Sequence, residues 1–400
     1  MNLRIFKSTA DGKIKAPPSK SYAHRFLIGA ALSSGVSKIE GVSDSDDMNS
    51  TLNSIAALGV KFQKNGDTVS VFGGEFGKIF DTFNCFESGS TLRFFIPIAL
   101  ALGERATFVG TEKLISRGIT VYEEIFKNQG IEIVKTNSSL TFNGKLSPDT
   151  FYMRGDISSQ FITGMLFALP LLEGDSKIVI TTELQSESYV NITLDAISKF
   201  GIKIERNGNE FSVKGNQKYV AANLVVEGDA SNAAFLDGFN LLGGDVSVLG
   251  IENTTCQGDF IYKSYFEKIK NEAPTLDISD CPDLGPVCFA LAALNNGAHF
   301  VGTKRLAIKE SDRGATMACE LGKLGGEVLL SENEITVSKI SNIKENTVLL
   351  CHNDHRIAMS LALALSTVGG TLLGCECVKK SYPNFFEDIR HLGIKWEEIQ

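Results

Sequence analysis

Residues 88–111 read SGSTLRFFIPIALALGERATFVGT. A polar Ser88-Gly89-Ser90 opens the stretch, an apolar run follows, and Gly103 closes it. The run is about 14 residues, the length of one helix of roughly 20 Å. It is apolar on every side rather than along one stripe, so the helix it predicts belongs inside a core. ATFVGT (106–111) comes next, and its β-branched and aromatic content predicts a strand.

The same order occurs six times. Apolar stretches end at Gly35, Gly103, Gly174, Gly243, Gly297 and Gly369. Upstream of them stand Ser19-Lys20-Ser21, Ser88-Gly89-Ser90, Ile157-Ser158-Ser159-Gln160, Asp229-Ala230-Ser231, Pro282-Asp283 and Asp354-His355-Arg356. Strand-like runs follow: VSKIEGV (36–42), ATFVGT, SKIVITT (176–182), DVSVLGI (245–251), AHFVGT (298–303) and TLLGCEC (371–377). A second helical stretch then stops at Gly59, Gly130, Gly201, near Lys268, at Gly325 and at Gly393, glycine being the usual residue past a helix end. Hairpins are predicted at 59–73, 130–144, 201–215 and 325–339, with Asn65-Gly66 and Asn207-Gly208 as turn pairs. The period of about 65 to 70 residues exceeds that of common solenoids and fits a β-α-β-α-β-β unit.

Two irregularities set the expected domains. The fourth unit lacks a hairpin after Lys268, and the sixth stops one strand short at GIKWEEIQ. The orphan run NLRIFKS at the start can supply the missing partner. The expectation is an α/β protein of two pseudo-threefold domains, three repeats each, with buried helices and outer sheets. One domain would run over 16–225. The other would comprise 1–15 and 226–400, with the functional site in the cleft between them.

Composition narrows the function classes. A net charge of −8 over 400 residues argues against a surface made for nucleic acid. A sixfold ring around duplex would need basic, solvated helices, whereas these are apolar. The eight cysteines contain no CxxC pair and are expected to be reduced and mostly buried, with Cys375 and Cys377 in a strand. There is no apolar signal segment at the start, and the longest apolar runs are shorter than the about 18 residues a membrane span needs. A cytoplasmic protein without a membrane partner is expected.

The polar clusters carry the chemistry. Helix N-termini expose unpaired N–H groups and a positive dipole end, which attract anions. Lys20 and Arg25, one turn apart at such an end, should repel each other unless an anion lies between them. Ser158, Ser159 and Gln160 could cradle a phosphate, with Ser186 and Tyr189 in the next polar loop, although serine is also the ordinary cap. Asp283 could cap its helix or, if anions crowd it and raise its pKa, act as a general base. Lys309-Glu310-Ser311-Asp312-Arg313 could be a solvated face or a place where Glu310 moves protons between two cations. Arg356 matches a carboxylate or phosphate clamp. Arg117 and Lys380 occupy equivalent loops of units two and six. His352 and His355 have metal-ligand spacing but no third ligand pattern.

Taken together, PSKSYAHR (18–25), SDSDD (43–47), SGSTLR (88–93), DISSQF (156–161), EGDASNAAF (227–235), CPD (281–283), KESDR (309–313), NDHR (353–356) and KKSYP (379–383) resemble the enolpyruvyl transferases. The resemblance is strongest to the branch that acts on shikimate 3-phosphate, and it runs nearly end to end. It implies an inside-out α/β barrel fold and transfer of the enolpyruvyl group of phosphoenolpyruvate to the 5-hydroxyl of shikimate 3-phosphate, without metal or organic cofactor, by a monomer. It assigns Lys20, Ser21, Arg25, Ser158, Ser159, Gln160, Ser186, Asp283 and Lys309 to shikimate 3-phosphate. It assigns Lys20, Gly89, Arg117, Gln160, Arg313, Arg356 and Lys380 to phosphoenolpyruvate. Asp283 would be the base for the hydroxyl, and Glu310 with Lys20 the acid and base at the methylene carbon. The branch acting on UDP-N-acetylglucosamine is the alternative. It typically has a reactive cysteine near position 117, and this chain has none between Cys85 and Cys256. Glu87, Phe94, Arg305 and Gly314 depart from the family pattern, and the hairpin region 60–85 is short, which bears on substrate affinity and inhibitor sensitivity.

Overall fold

The computed structural model describes residues 1–76, 82–251 and 255–399. Residues 77–81, within the short 60–85 region, residues 252–254 and Gln400 lie outside the described residues. The chain forms two compact units, Pro18–Glu227 and Met1–Pro17 with Gly228–Gln400, each with its own apolar core.

In the first unit the helices that follow the polar clusters are Lys20–Leu32, Gly89–Leu102 and Ser159–Ala168. In the second they are Ala230–Asp237, Gly285–Leu294 and His355–Val368. All six are buried nearly all round. A fully buried Leu or Phe on them contributes about 1.5–3 kcal/mol. Five start at a side-chain cap: Ser19, Ser88, Ser158, Asp229 and Asp354 each accept from a backbone N–H of the first turn. The other differs from the cap expectation. Asp283 sits in the 3-10 turn Pro282–Leu284, and neither that turn nor helix Gly285–Leu294 starts at a side-chain cap; its carboxylate meets cations instead.

Each buried helix of a complete repeat connects two parallel strands, as a crossover requires. Phe83–Asn84 lies parallel to Arg105–Val109, which is antiparallel to Ser139–Asn143, itself antiparallel to Glu132–Lys135. The third repeat does the same with Thr150–Met153, Ser176–Ile180, Glu210–Val213 and Ile204–Asn207, as does the fifth with Thr275–Asp277, Ala298–Val301, Glu334–Val337 and Val328–Leu330. Alternation puts one face of each strand into the core: Phe211 and Val213 are buried, while Glu210 and Ser212 are exposed. Several outer helices end at glycine in the left-handed region, Gly130 at φ +70° and Gly201 at φ +81° among them.

The chain ends and crossings complete the remaining sheets. Asn2–Ile5 lies between Gly370–Leu373 and Trp396–Ile399, antiparallel to both, with Thr347–Leu350 on the outer side. Asp11–Lys15 precedes the first buried helix in sequence but pairs in parallel with Asp245–Leu249 of the second unit. Leu224–Val225 precedes the fourth buried helix but pairs in parallel with Gly35–Glu40 of the first unit. The fourth repeat has no hairpin of its own among the described residues. The strand expected over 371–377 is corrected: it ends at Leu373, Gly374 turns the chain at φ +78°, and Cys375–Lys380 is a 3-10 helix. Cys375 and Cys377 are buried there.

One contact fixes the geometry near the second polar cluster. Pro97 inside helix Gly89–Leu102 has no N–H to give the carbonyl of Arg93. The Tyr122 hydroxyl supplies a donor instead, shared between the carbonyls of Arg93 at 2.8 Å and Phe161 at 2.9 Å. Gly164 makes room for it: a Cβ there would stand 2.4 Å from both that carbonyl and that hydroxyl.

Candidate active site

In the first unit, the opening turns of the three buried helices meet through their polar side chains. Arg93 Nη1 donates to Gln160 Oε1 at 2.6 Å, and Gln160 Nε2 donates to Ser90 Oγ at 2.9 Å. Thr51 Oγ1 lies 2.6 Å from His24 Nδ1 and 3.1 Å from Thr91 Oγ1. Arg25 reaches Thr163 Oγ1 at 3.2 Å, Thr193 Oγ1 at 2.8 Å and the carbonyls of Ser21 and Tyr189 at 2.8 and 3.0 Å. Lys20, Ser21, Arg25, Gly89, Ser90, Ser159 and Gln160 therefore share one end of the unit.

The expected clash between Lys20 and Arg25 does not arise. Asp47, from the first turn of helix Asp46–Ala57, holds Lys20 Nζ at 2.9 Å. Arg25 is buried, stacks over the Phe94 ring at 5.2 Å and uses four of its five donors on protein oxygens. A single Nη1 hydrogen remains for a ligand. Burial pushes its pKa down to about 10, so it stays charged at neutral pH. Phe94, a departure from the family pattern, is thus the platform under Arg25.

Gly89 stands where two guanidinium groups approach the helix start. A Cβ there would lie 3.3 Å from Arg117 Nη1 and 3.4 Å from Arg93 Nη1. The Arg117 Nε is buried without a hydrogen-bond partner among the described residues. Paired guanidiniums beside free helix N–H groups form a ready anion site. Ser158 caps helix Ser159–Ala168. Ser186, ahead of helix Glu187–Ser198, is buried and left-handed at φ +54°. A serine held in that conformation points to a constraint imposed by its surroundings.

The second unit gathers Asp283, Lys309, Glu310, Arg313, Arg356 and Lys380. Arg313 is fully buried and touches three carboxylates: Nε to Asp354 at 3.0 Å, Nη1 to Asp283 at 2.8 Å and Nη2 to Glu310 at 2.8 Å. Burial opposes its charge, but Asp354, Glu310 and Asp283 hold its pKa well above the usual value. Arg356 donates to Ser231 Oγ at 2.7 Å, Asn232 Oδ1 at 3.2 Å and Asp283 Oδ2 at 3.2 Å. Lys309 Nζ is 3.6 Å from Asp283 Oδ1. Lys380 Nζ donates to the carbonyl of Asn353 at 2.8 Å.

Asp283 is thus ringed by Lys309, Arg313 and Arg356, cations rather than the anions the sequence argument placed around it. Its two oxygens are acceptors, as a proton-abstracting carboxylate must be. Burial pushes the Lys309 pKa down to about 8; Arg305 and Arg313 add to this, and Asp283 and Glu310 oppose it. Arg305, another departure, is buried and reaches the carbonyl of Ser279 at 3.5 Å. Gly314 packs close to Ile335, 3.0 Å from where a Cβ would stand.

Several residues that hold these groups carry no local sequence signal of that role. Asp47 fixes Lys20, Thr163 and Thr193 fix Arg25, Asp354 fixes Arg313, and Ser231 and Asn232 fix Arg356. The hydroxyls carry only a general one: in otherwise apolar helices they must find partners when buried. Among the described residues, no group of His, Cys, Asp and Glu could hold a metal ion, and no helix is long and apolar enough to cross a membrane.

Known proteins are similar to this chain in architecture and in sequence. A solved EPSP synthase from Acinetobacter baumannii superposes with a TM-score of 0.80, covering all of both chains at 22% identity. The enolpyruvyl transferase NikO from Streptomyces tendae superposes with the same TM-score at 14% identity, covering 99% of this chain and 98% of that one. These establish the fold. In sequence, the 3-phosphoshikimate 1-carboxyvinyltransferase of Clostridium kluyveri is 43% identical over 412 residues, covering 97% of this chain and 96% of the relative. That of Clostridium novyi is 41% identical over 424 residues, covering 98% and 97%. Residues 7–389 match the sequence pattern of the family described as EPSP synthase (3-phosphoshikimate 1-carboxyvinyltransferase). With near-complete coverage at this identity, the chain belongs to the EPSP synthase family.

Proposed function

We propose that this chain transfers the enolpyruvyl group of phosphoenolpyruvate to the 5-hydroxyl of shikimate 3-phosphate and releases phosphate, a step of the shikimate pathway toward chorismate and the aromatic amino acids. Asp283 carries the reading: a carboxylate acceptor aligned by Arg313, Arg356 and Lys309, with Glu310 on the same guanidinium. Two carboxylates and a cluster of cations are what proton transfer between two mutually repelling anions needs.

In this scheme both clusters serve one reaction. Ser158, Ser159 and Ser186 hold the 3-phosphate, with Lys20, Ser21, Arg25, Gln160 and Lys309 on the rest of shikimate 3-phosphate. Gly89 and Arg117, with Lys20, Gln160, Arg313, Arg356 and Lys380, hold phosphoenolpyruvate. Glu310, with Lys20, delivers a proton to the methylene carbon, which leaves C2 electron-poor. The 5-hydroxyl oxygen bonds to C2 while its proton passes to Asp283, giving a tetrahedral ketal. Loss of a methyl proton to the Glu310 side and departure of phosphate restore the double bond. The enzyme works in the cytoplasm as a monomer, without metal or organic cofactor.

The test is phosphate release from phosphoenolpyruvate with shikimate 3-phosphate or with UDP-N-acetylglucosamine as acceptor. Turnover with shikimate 3-phosphate alone is expected; turnover with the sugar nucleotide alone overturns the proposal. Asp283→Ala and Glu310→Ala should each lower kcat by roughly 100-fold or more, with smaller changes in KM. A series in which KM rises and kcat holds would contradict the roles given.

A further inference from the structure

Glu320 lies on helix Arg313–Lys323, fully buried, and nothing in the proposed chemistry uses it. A carboxylate out of water needs donors on both oxygens. Oε1 accepts from His352 Nε2 at 2.8 Å and Lys323 Nζ at 2.8 Å; Oε2 accepts from Lys323 Nζ at 2.8 Å and the backbone N–H of Leu350 at 3.0 Å. Burial raises the pKa of this group, but those donors outweigh it and hold the carboxyl below its usual value. An ionised carboxylate only accepts, so the His352 Nε2 carries the proton it shares.

His352 is no ordinary partner. It and Asn353 are consecutive left-handed residues, φ +51° and +55°. Two non-glycine residues in that region persist where surroundings impose them. This turn supplies the carbonyl of Asn353 that receives Lys380 Nζ at 2.8 Å. The next residue, Asp354, accepts from Arg313 Nε and Ser311 Oγ, each at 3.0 Å, and from the backbone N–H of Arg356 at 2.9 Å. Lys380 is therefore held by this turn itself, and the Arg313 guanidinium and the start of the Arg356 helix by the residue that follows it; the turn is tied to helix Arg313–Lys323 through Glu320.

We propose that Glu320, acting through His352, is a positioning residue: it pins the 352–353 turn and so sets Lys380, Arg313 and Arg356 for phosphoenolpyruvate. This rests on the function proposed above. The groups assigned to the 3-phosphate, Ser158, Ser159 and Ser186, belong to the other unit, so loss of the strut should separate the two substrates kinetically.

Two variants isolate it. His352→Gln keeps a donor of similar reach, whereas His352→Leu removes it, and both face the same backbone conformation. His352→Leu should raise KM for phosphoenolpyruvate about tenfold and leave KM for shikimate 3-phosphate within about twofold, the effect expected of a lost hydrogen bond to a charged group. His352→Gln should restore most of the affinity. Hydrogen exchange of amides 350–356 should quicken in His352→Leu and not in His352→Gln. The proposal fails if His352→Leu kinetics match the parent, if both KM values rise together, or if the Gln variant is as impaired as the Leu one. A parent protein that turns over neither substrate would sink the functional reading instead. The exchange measurement would then decide the strut by itself: equal rates in all three proteins would refute it.

Discussion

His24 shows how much of the site's chemistry is set by burial at single residues. It sits on the first buried helix with Nδ1 against Thr51, and its ring meets Phe94 edge-on at 6.1 Å between centroids. Burial pushes its pKa from 6.5 to about 3; Asp47 opposes this, and Lys20 and Arg25 add to it. Between those values the unfolded chain binds a proton that the folded chain refuses, so stability falls as pH drops from 6.5 toward 3. His24→Asn should flatten that fall, narrowing the gap in urea midpoint between pH 7 and pH 4. An unchanged gap would show that His24 does not couple folding to protons. Lys309 couples with the same sign at the alkaline end. With a pKa of about 8 against 10.5 when unfolded, the folded protein gains stability as pH rises through 8 to 10.5, while the site loses a cation. KM for shikimate 3-phosphate should therefore climb above pH 8, and Lys309→Met should abolish that limb of the pH profile. The residues bearing these charges were legible in the sequence, because Lys20, Arg25, Glu310 and Arg313 stand in short polar clusters beside apolar runs. Their partners were not. Thr193 is 168 positions from Arg25, and Asn232 is 124 from Arg356, so no local pattern joins them.

At the scale of elements, what the chain shows locally is what the fold uses, except where a distant partner intervenes. The apolar helices and the hairpins at Asn65-Gly66 and Asn207-Gly208 were readable because period and turn chemistry are local. TLLGCEC is strand-like in composition, yet the strand stops at Leu373. The N–H of Gly374 is taken by Asn2 Oδ1 at 3.1 Å, and that of Cys375 by the carbonyl of Met1 at 2.8 Å. Those acceptors come from the other end of the chain and bend it into a 3-10 turn. Helix Gly89–Leu102 tolerates Pro97 for a similarly remote reason, the Tyr122 hydroxyl on a later helix. Tyr122→Phe deletes that donor and keeps the ring. It should cost about 1–3 kcal/mol, the penalty of a buried carbonyl left unpaired. Urea unfolding should show a lower midpoint at unchanged slope. A midpoint equal to the parent's would mean that helix Gly89–Leu102 pairs the Arg93 carbonyl without help.

For the molecule as a whole, the decisive feature is which strands the chain withholds from their neighbours in sequence. Asp11–Lys15 and Leu224–Val225 each lead into a buried helix of one unit while pairing in a sheet of the other. Asn2–Ile5 has the longest reach, since Asn2 pairs with Leu373 and Ile399. Pairings so distant in sequence form late, because loop closure must precede the contacts that reward it. The unit of residues 18–227 draws its three sheets from its own span, whereas the unit of residues 228–400 needs the chain's first residues in the middle of a sheet. Leu3 is fully buried at the centre of that strand. Leu3→Ala should cost about 2–5 kcal/mol, the loss of a large apolar side chain plus the cavity it leaves. The cost should fall on one unit. Native-state hydrogen exchange should show lost protection at 370–373 and 396–399, while amides of helix Gly89–Leu102 keep the parent's rates. If protection falls equally in both places, the two units unfold as one cooperative body, and the division of the chain into separately stable cores is wrong.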